Sequence, residues 1–399
     1  MQRLTGWTVT VVLLGVAMAS LGGCTDQGAA WRPVGHAALG PDRELLVNQR
    51  PLLPLMGFYQ SVKSFEHAEV MGLNGYFMPG KTPAREYLDA LAARKLYGIV
   101  LYDPEVTGHA ALLAWLQPHE PDALAEGKPR STPDEVVAAY EAIRKADPSR
   151  PVVLDFSPNF MLKAEFAEGR SEQQKREDYA AYARGGDILT YNVYPIWLHN
   201  RPERINWVAE AADDLREIVG PDKPFFAMIE TGKGSKAVPV DEQRDVSVDE
   251  IRAEVWMALT HGATGIIYFT HQFKPSFTEF APDADKQAGI KAINAQITRL
   301  APILLSGATQ RPVVVAFVGG LEASWTAREY KGRLYLFVLN ADPQRREGKI
   351  SIAAEGLRAG QTVEVIDEGR TIKVDRDGSF SDTFGPLGLH IYAMDVAGK

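Results

Sequence analysis

The sequence has a single cysteine, Cys24, among its 399 residues, so it cannot form an internal disulfide. A chain without disulfides must be held together by its core and its hydrogen bonds. The sequence also has no excess of basic residues, because 43 Lys and Arg stand against 51 Asp and Glu and give a formal net charge of −8. This balance, and the lack of a basic run with interleaved aromatic residues, disfavours nucleic acid as a partner.

Several motifs of cofactor and metal chemistry are missing. The sequence has no H-E-x-x-H and no paired-cysteine spacing, so nothing in it points to a metal site. It has no G-x-S-x-G turn of a serine hydrolase and no Walker sequence for nucleotide binding. We therefore expect a protein that works without metal or cofactor.

The first 24 residues have the pattern of an export signal. Arg3 supplies a positive charge, and the mostly apolar stretch Val9–Leu21 is too short to span a membrane. The segment ends in Leu21-Gly22-Gly23-Cys24, which resembles a bacterial lipobox whose cysteine is lipidated. An ordinary secretory signal with a chance cysteine is the alternative. The resemblance implies attachment to a membrane of the bacterial cell envelope through Cys24, with residues 25–49 as tether and lead-in.

From about residue 50 to residue 305, short apolar runs alternate with amphipathic stretches. Runs this rich in Val, Ile, Leu and Phe are typical of strands that are buried on both faces. Thr132 to Glu135 and Ser247 to Glu250 form capping boxes that start helices between the runs. Eight strands alternating with helices predict an α/β fold, the (β/α)8 or TIM barrel, over residues 50–305. The runs are Pro51–Phe58, Gly75–Met78, Gly98–Tyr102, Ala111–Leu116, Pro151–Phe156, Asp187–Val193, Pro224–Ile229 and Gly265–Phe269.

One connection departs from the regular pattern. Only about eight residues join the third and fourth runs, so the third helix must be vestigial or absent. A doubly wound open sheet is the alternative, although no G-x-G-x-x-G follows a first strand to support it. A predicted helix from Asp283 to about Leu300, with Pro302 just past its end, closes the barrel. Residues 306–399 have short strands separated by turn residues and predict a small antiparallel β-sandwich that packs against the barrel. The predicted strands are Pro312–Val318, Leu334–Leu339, Lys349–Ala353, Thr362–Ile366, Thr371–Val374 and Leu389–Met394.

Two of the apolar runs lead into a glutamate. Glu120 follows the fourth run, and Glu230 ends the seventh. Because the carboxyl ends of parallel barrel strands share one rim, we expect both carboxylates at the same end of the barrel. Two carboxylates in such a place are the minimum equipment for cleaving a glycosidic bond. Pairing of each glutamate with an arginine at the barrel mouth is the alternative.

The segment Trp115-Leu116-Gln117-Pro118-His119-Glu120-Pro121-Asp122 resembles the W-x-x-x-D-E-P-D variant of a motif in the clan A retaining glycoside hydrolases. The stretch from Glu254 to Phe269 is similar to the helix-to-strand segment of the same barrels, and the resemblance covers most of residues 50–305. It implies a carbohydrate substrate, with Glu120 as acid/base and Glu230 as nucleophile of a retaining double displacement. It departs at His119, where asparagine or aspartate is commoner. A non-catalytic glycan-binding lipoprotein on a hydrolase-like barrel therefore remains the alternative.

The same rim carries further candidate residues. The resemblance implies that a tyrosine after the sixth strand bonds the nucleophile, and Tyr194 is better placed than Tyr191, whose alternative is a core position. His119 could bond the sugar or adjust the proton affinity of Glu120. Asp155 is near the end of the fifth run, with its side chain free to point to either face. The predicted substrate contacts are His119, Tyr194, Asn192, Asp103, Gln60, Trp197 and His271.

Overall fold

The computed structural model describes residues 31–318 and 320–396, and the predicted signal with Cys24 lies outside them. Eight parallel strands, β1 to β8, form a closed barrel in chain order, with β8 pairing back to β1. This confirms the predicted (β/α)8 barrel and excludes the open sheet. The strands are β1 Leu55–Phe58, β2 Gly75–Phe77, β3 Tyr97–Leu101, β4 Leu112–Leu116, β5 Val152–Phe156, β6 Ile188–Asn192, β7 Phe225–Glu230 and β8 Gly265–Phe269.

Helices surround the barrel, and the capping boxes at Thr132 and Ser247 start two of them as predicted. Between β3 and β4 the chain forms only the 3-10 turn Pro104–Val106, so the third helix is absent, as its short connection indicated. The last helix was predicted too short, because it continues through Pro302 within its final turn. The helices are α1 His67–Met71, α2 Ala84–Ala93, α3 Pro133–Ala146, α4 Glu172–Tyr182, α5 Trp207–Val219, α6 Val248–Thr260 and α7 Ala284–Leu304.

Side chains of β7 alternate between two cores, as the two-residue period of a strand requires. Phe226 and Met228 pack in the barrel interior, whereas Phe225 and Ile229 pack in the layer between the strands and the surrounding helices. Glu230 follows Met228 by two residues and so continues the interior register at the carboxyl end of the strand. The alternation thus turns the last side chain of β7 toward the barrel mouth.

The amino-terminal end of the barrel is covered by a three-stranded antiparallel sheet, Ala37–Leu39, Leu45–Val47 and Arg50–Leu52. The buried Arg150 donates to the Gly35 and Val34 carbonyls and fastens the segment before this sheet to the barrel. These strands lie where the sequence predicted mainly a tether and lead-in. A cavity of about 1000 Å³ lies at this covered end, so it is remote from the carboxyl-terminal rim. Loops at the opposite, uncovered end supply the candidate site.

Two antiparallel sheets follow the barrel and pack face to face around a shared apolar core, as in a β-sandwich. One sheet has the order β9-β12-β15 and the other has the order β10-β11-β16-β13-β14. The prediction missed β10 and β15, which contain many polar residues. The strands are β9 Val313–Val318, β10 Ala323–Tyr330, β11 Arg333–Asn340, β12 Gly348–Ala354, β13 Thr362–Val365, β14 Arg370–Lys373, β15 Ser379–Phe384 and β16 Leu389–Asp395.

The sandwich docks on the outer face of α6. The Phe337 ring stacks on Trp256 with their centroids 5.6 Å apart. Beside this contact, Arg345 of the sandwich forms an ion pair with the buried Glu250, which Arg244 also contacts. No helix in residues 31–318 or 320–396 is long and apolar enough to cross a membrane.

Candidate active site

Glu120 lies at the carboxyl-terminal rim, four residues beyond the end of β4. Its φ of 46° is left-handed, a strained conformation for a residue with a side chain and one that often occurs at functional sites. Its Oε1 accepts a hydrogen bond of 3.0 Å from Asn192 Nδ2. Its Oε2 lies 3.6 Å from both His119 Nε2 and an Arg130 guanidinium nitrogen. With 19% of the side chain exposed, the carboxylate is held in place and still open to a ligand.

Hydrogen bonds to Asp122 hold the turn that carries Glu120 in place. The buried Asp122 carboxylate accepts hydrogen bonds from the Ser157 amide at 3.0 Å and the Ser157 hydroxyl at 2.6 Å. Tyr179 of α4 donates a third bond at 2.9 Å. Burial raises the pKa of Asp122 to about 6, although these hydrogen bonds act in the opposite direction. The network ties the strained turn after β4 to the end of β5.

His119 sits between Glu120 and the barrel interior. Its Nδ1 bonds Asp155 Oδ2, and Asp155 is fully buried on β5. The other oxygen of Asp155 accepts a 2.6 Å hydrogen bond from the Thr190 hydroxyl. Burial lowers the pKa of His119, but the Asp155 charge and its hydrogen bond outweigh burial and raise the pKa to about 9. His119 is therefore an imidazolium at neutral pH.

Glu230 occupies the predicted place at the end of β7, but its side chain is completely buried. The Ile196 amide donates to Oε1 at 2.8 Å, and the Trp197 amide donates to Oε2. Both amides belong to the loop after β6. Burial raises the pKa of Glu230 to about 7, although hydrogen bonds from Glu254 and these two amides act against it. The carboxylate is thus preorganised, with the Ile196–Trp197 backbone against it.

Glu254 of α6 is the hidden neighbour of Glu230. Its side chain is fully buried, and the neighbouring group that acts on it most is the Glu230 carboxyl group. Burial first, and then the charge of Glu230, raise the pKa of Glu254 well above its ordinary value. Two carboxylates in such a place cannot both be ionised without a large cost. Glu254, whose pKa is raised well above its ordinary value, therefore keeps its proton beside Glu230.

Tyr194 lies among the acidic side chains of the rim. Burial raises the pKa of Tyr194 well above its ordinary value, and the charges of Asp155, Glu120 and Glu230 raise it further. Its hydroxyl contacts the Met228 sulfur at 3.7 Å. The predicted bond from Tyr194 to Glu230 is therefore not formed, because the phenol points down into the barrel. Tyr191 is a core residue whose hydroxyl donates to the Val208 carbonyl.

Two of the predicted contacts are closely involved with the glutamates. Asn192, the last residue of β6, bonds Glu120 and the Phe156 carbonyl. Trp197 is 8% exposed and supports Glu230 through its backbone amide, so its ring is not an open stacking platform. The ring packs instead on Phe269, with the centroids 4.8 Å apart.

The other predicted contacts are engaged within the protein. Gln60 is 1% exposed, and its amide donates to the Phe58 and Glu279 carbonyls and to the Thr270 hydroxyl. His271 is 3% exposed and bonds the Tyr59 carbonyl. Asp103 is partly exposed and caps the 3-10 turn by accepting from the Glu105 amide. Gln60 and His271 therefore shape the rim from beneath rather than face it.

Aromatic rings other than Trp197, the predicted stacking residue, are exposed beside the rim. Tyr59 is 36% exposed and Phe277 is 59% exposed. The ring centroids of Phe277 and Phe273 are 5.7 Å apart. Lys236 Nζ lies 4.5 Å from the Phe273 centroid in a cation–π contact. Exposed rings of this kind suit the apolar C–H faces of sugars.

Sequence reasoning missed Glu254 and Arg130 and left the direction of Asp155 open. Glu254 carried a usable signal, because it is an acid among Ile251, Val255 and Ala258 on the apolar face of α6. Arg130 carried none, since it reaches Glu120 only through the fold of its loop. Within residues 31–318 and 320–396, no group of three or more His, Cys, Asp or Glu side chains is arranged to hold a metal ion.

Part of the chain matches a known family. Residues 128–281 match the glycoside hydrolase 42 family model, described as beta-galactosidase. The match covers less than half of the chain; it includes Glu230 and begins eight residues after Glu120. No protein of curated function matches the sequence.

Solved structures share the fold at low sequence identity. A structure titled glycoside hydrolase is 11% identical with a TM-score of 0.55, over 92% of this chain and 98% of that one. A family 5 glycoside hydrolase from Bacteroides vulgatus is also 11% identical, with a TM-score of 0.53, over 92% of this chain and 94% of that one. At this identity the likeness shows the fold alone. The partial family match, together with the barrel, supports a glycoside hydrolase.

Proposed function

We propose that the protein hydrolyses glycosidic bonds of an oligo- or polysaccharide by a retaining double displacement. Glu120 acts as acid/base, and Glu230 acts as nucleophile. The observation that carries the proposal is the position of the two glutamates at one rim of a closed parallel barrel, with Glu120 after β4 and Glu230 at the end of β7. The description of the matched family, beta-galactosidase, makes a β-galactoside the first substrate to test.

In the first step, protonated Glu120 gives its proton to the glycosidic oxygen while Glu230 attacks the anomeric carbon. The carbon–oxygen bond to the leaving sugar breaks, and an ester to Glu230 forms. In the second step, the Glu120 carboxylate takes a proton from water, which attacks the same carbon and releases Glu230. Retention requires the two carboxyl groups to lie about 5–5.5 Å apart in the reacting complex.

The environments of the two glutamates suit unequal roles. Glu120 is reachable from solvent, as a residue that meets water and the leaving group must be. Two backbone amides donate to Glu230 and oppose the effect of burial, which raises its pKa to about 7, so Glu230 is ionised above neutral pH. Because Glu230 is buried, the nucleophilic role requires the Ile196–Trp197 segment to shift when sugar enters.

Burial of Glu230 also favours a second candidate function, a glycan-binding protein without turnover on a hydrolase-like barrel. In that case Glu120, His119 and the exposed aromatic rings hold a sugar, and Glu230 remains a structural residue. The lack of the usual asparagine or aspartate at position 119 points the same way.

The deciding experiment is a screen of the full chain against aryl β-galactosides, glucosides, mannosides and xylosides and a set of polysaccharides. We expect hydrolysis that Glu120→Gln and Glu230→Gln each reduce by about 100-fold to 10,000-fold while sugar affinity remains. Binding by the unchanged protein without any turnover would establish the second candidate instead.

We also propose that lipidated Cys24 attaches the protein to a membrane of the bacterial cell envelope. The proposal rests on the lipobox-like Leu21-Gly22-Gly23-Cys24 after an export signal. Cys24→Ala should move the protein from the membrane fraction to the soluble fraction of cells. Unchanged membrane association of that variant would refute the anchor.

A further inference from the structure

The residue before Glu120 is held by a carboxylate buried in the barrel. His119 Nδ1 bonds Asp155 Oδ2, and the Asp155 side chain has no solvent exposure. The Thr190 hydroxyl donates to the other oxygen of Asp155 at 2.6 Å. Both carboxylate oxygens are therefore occupied, and Asp155 has one rigid orientation. The ring that it holds must turn Nε2 away from the interior, toward Glu120.

The opposite side of the His119 ring faces the mouth. Nε2 lies 3.6 Å from Glu120 Oε2, and 34% of the His119 side chain is exposed. A cation at this distance favours the ionised form of a carboxylate. The groups around the ring are Asp155 on β5, Phe58 on β1 with its ring centroid 5.6 Å away, and Glu120 and Arg130 on the loop of His119 itself.

We propose that Asp155 is a positioning residue of the hydrolase, acting through His119 to hold an imidazolium beside Glu120. This inference rests on the proposed function. When Glu120 has given its proton to the leaving oxygen, it becomes a carboxylate, and His119 Nε2–H stabilises that charge. His119 keeps its own proton throughout, so the proton balance of both steps is unchanged. Asp155 touches neither the sugar nor Glu120.

The chain offers a matched control for this pair. His109 forms a similar pair with Asp89 of α2, with 2.9 Å between Nε2 and Oδ1. His109 precedes β4 and therefore lies toward the opposite end of the barrel from Glu120. Asp89→Asn removes a carboxylate from a histidine just as Asp155→Asn does, without touching the candidate site.

The pairing is tested by NMR titration of the histidine ring protons in the full chain. The His119 signal is identified by its loss in His119→Asn. We expect His119 to titrate well above 6.5 in the unchanged protein and at least one pH unit lower in Asp155→Asn, with no change in Asp89→Asn. A His119 midpoint near 6.5, or one that Asp155→Asn leaves in place, would overturn the proposal.

The catalytic part is tested by a double-mutant cycle on kcat with the substrate found in the screen. We expect Asp155→Asn to lower kcat roughly tenfold or more. Because Glu120 then loses a neighbouring positive charge and ionises less readily, the alkaline limb of the pH profile should move upward. In a His119→Asn background the same change should have little further effect, because Asp155 acts only through the ring. Equal losses in both backgrounds would show a merely structural role and overturn the proposal.

Two other outcomes are also decisive. If Asp155→Asn fails to fold, His119→Asn alone must shift the alkaline limb, and an unshifted profile would overturn the proposal. If the unchanged protein hydrolyses nothing while His119 titrates as expected, the proposed function fails and the Asp155–His119 pair stands. The two failures are therefore distinguishable.

Discussion

The carboxyl groups of Glu230 on β7 and Glu254 on α6 influence each other's pKa, and neither side chain is exposed to solvent. Burial raises the pKa of both groups, and their mutual repulsion when both are ionised keeps one proton between them. The neutral carboxyl group of Glu254 thus lies next to the proposed nucleophile on the side of α6.

Glu254→Gln should be tolerated, because an amide has nearly the same shape as a protonated carboxyl group and cannot ionise. A raised pKa stabilises the fold below the unfolded-state value, and that contribution is lost as pH rises. The variant should therefore unfold at a temperature close to that of the unchanged protein at about pH 4, below the unfolded-state pKa, and at a higher temperature at pH 9. Thermal unfolding at both pH values checks this, with the exposed Glu141→Gln as control. Equal unfolding temperatures at pH 9 would contradict the shared proton.

The pH profile of kcat/KM should have an acidic limb near neutrality. Glu230 must be ionised to attack, and its pKa is raised to about 7 by burial. Activity should therefore rise with pH through about 7 and not through 4.5. Initial rates from pH 4 to pH 9, with an enzyme shown to be folded at each pH, check this. Full activity at pH 5 would mean that the reacting Glu230 is not in the buried environment described above.

Asp122→Asn should lower activity and stability together. The substitution weakens bonds to Ser157 and Tyr179 that fix the turn bearing Glu120, at a cost of about 1–3 kcal/mol. We expect kcat to fall roughly tenfold because Glu120 loses its fixed geometry. Denaturant unfolding and steady-state kinetics measure the two effects. Asp222→Asn on the exposed turn before β7 is the control and should change neither.

Phe277→Ala should weaken sugar binding and leave the fold intact. The ring is 59% exposed beside the rim, so little packing is lost on its removal. Loss of one stacking contact, about 0.5–1.5 kcal/mol, corresponds to roughly a twofold to tenfold rise in KM with kcat nearly unchanged. Val318→Ala on the sandwich, also 59% exposed, is the matched control. A KM that responds equally to both variants would remove Phe277 from the site.

The sequence predicted the barrel well because its strands are apolar on both faces and their order follows the chain. Placing Glu120 and Glu230 at one rim needed only the parallel direction of β4 and β7. The environments of these glutamates were beyond prediction, because they depend on the path of loops. The Ile196–Trp197 backbone covers Glu230, and the Tyr194 phenol points into the barrel, and neither fact has a sequence signature.

Gln60 is another residue whose contacts could not be predicted from the sequence. Its place after β1 predicted a contact with sugar, but the Glu279 carbonyl and the Thr270 hydroxyl take its amide. Those partners are more than 200 positions away in the chain. His119 is the opposite case, since its departure from the resembled motif marked it as unusual, and the structure supplies Asp155 as its partner.

Covalent trapping of the glycosyl-enzyme intermediate is the most direct test of Glu230 as the nucleophile. The full chain is incubated with 2,4-dinitrophenyl 2-deoxy-2-fluoroglycosides of galactose, glucose and mannose, and its peptides are mapped by mass spectrometry. We expect one fluorosugar per chain, on the peptide that contains Glu230, and no label in Glu230→Gln. A label on another residue, or no label from a reagent whose sugar is the one that the enzyme hydrolyses, would contradict Glu230 as the nucleophile.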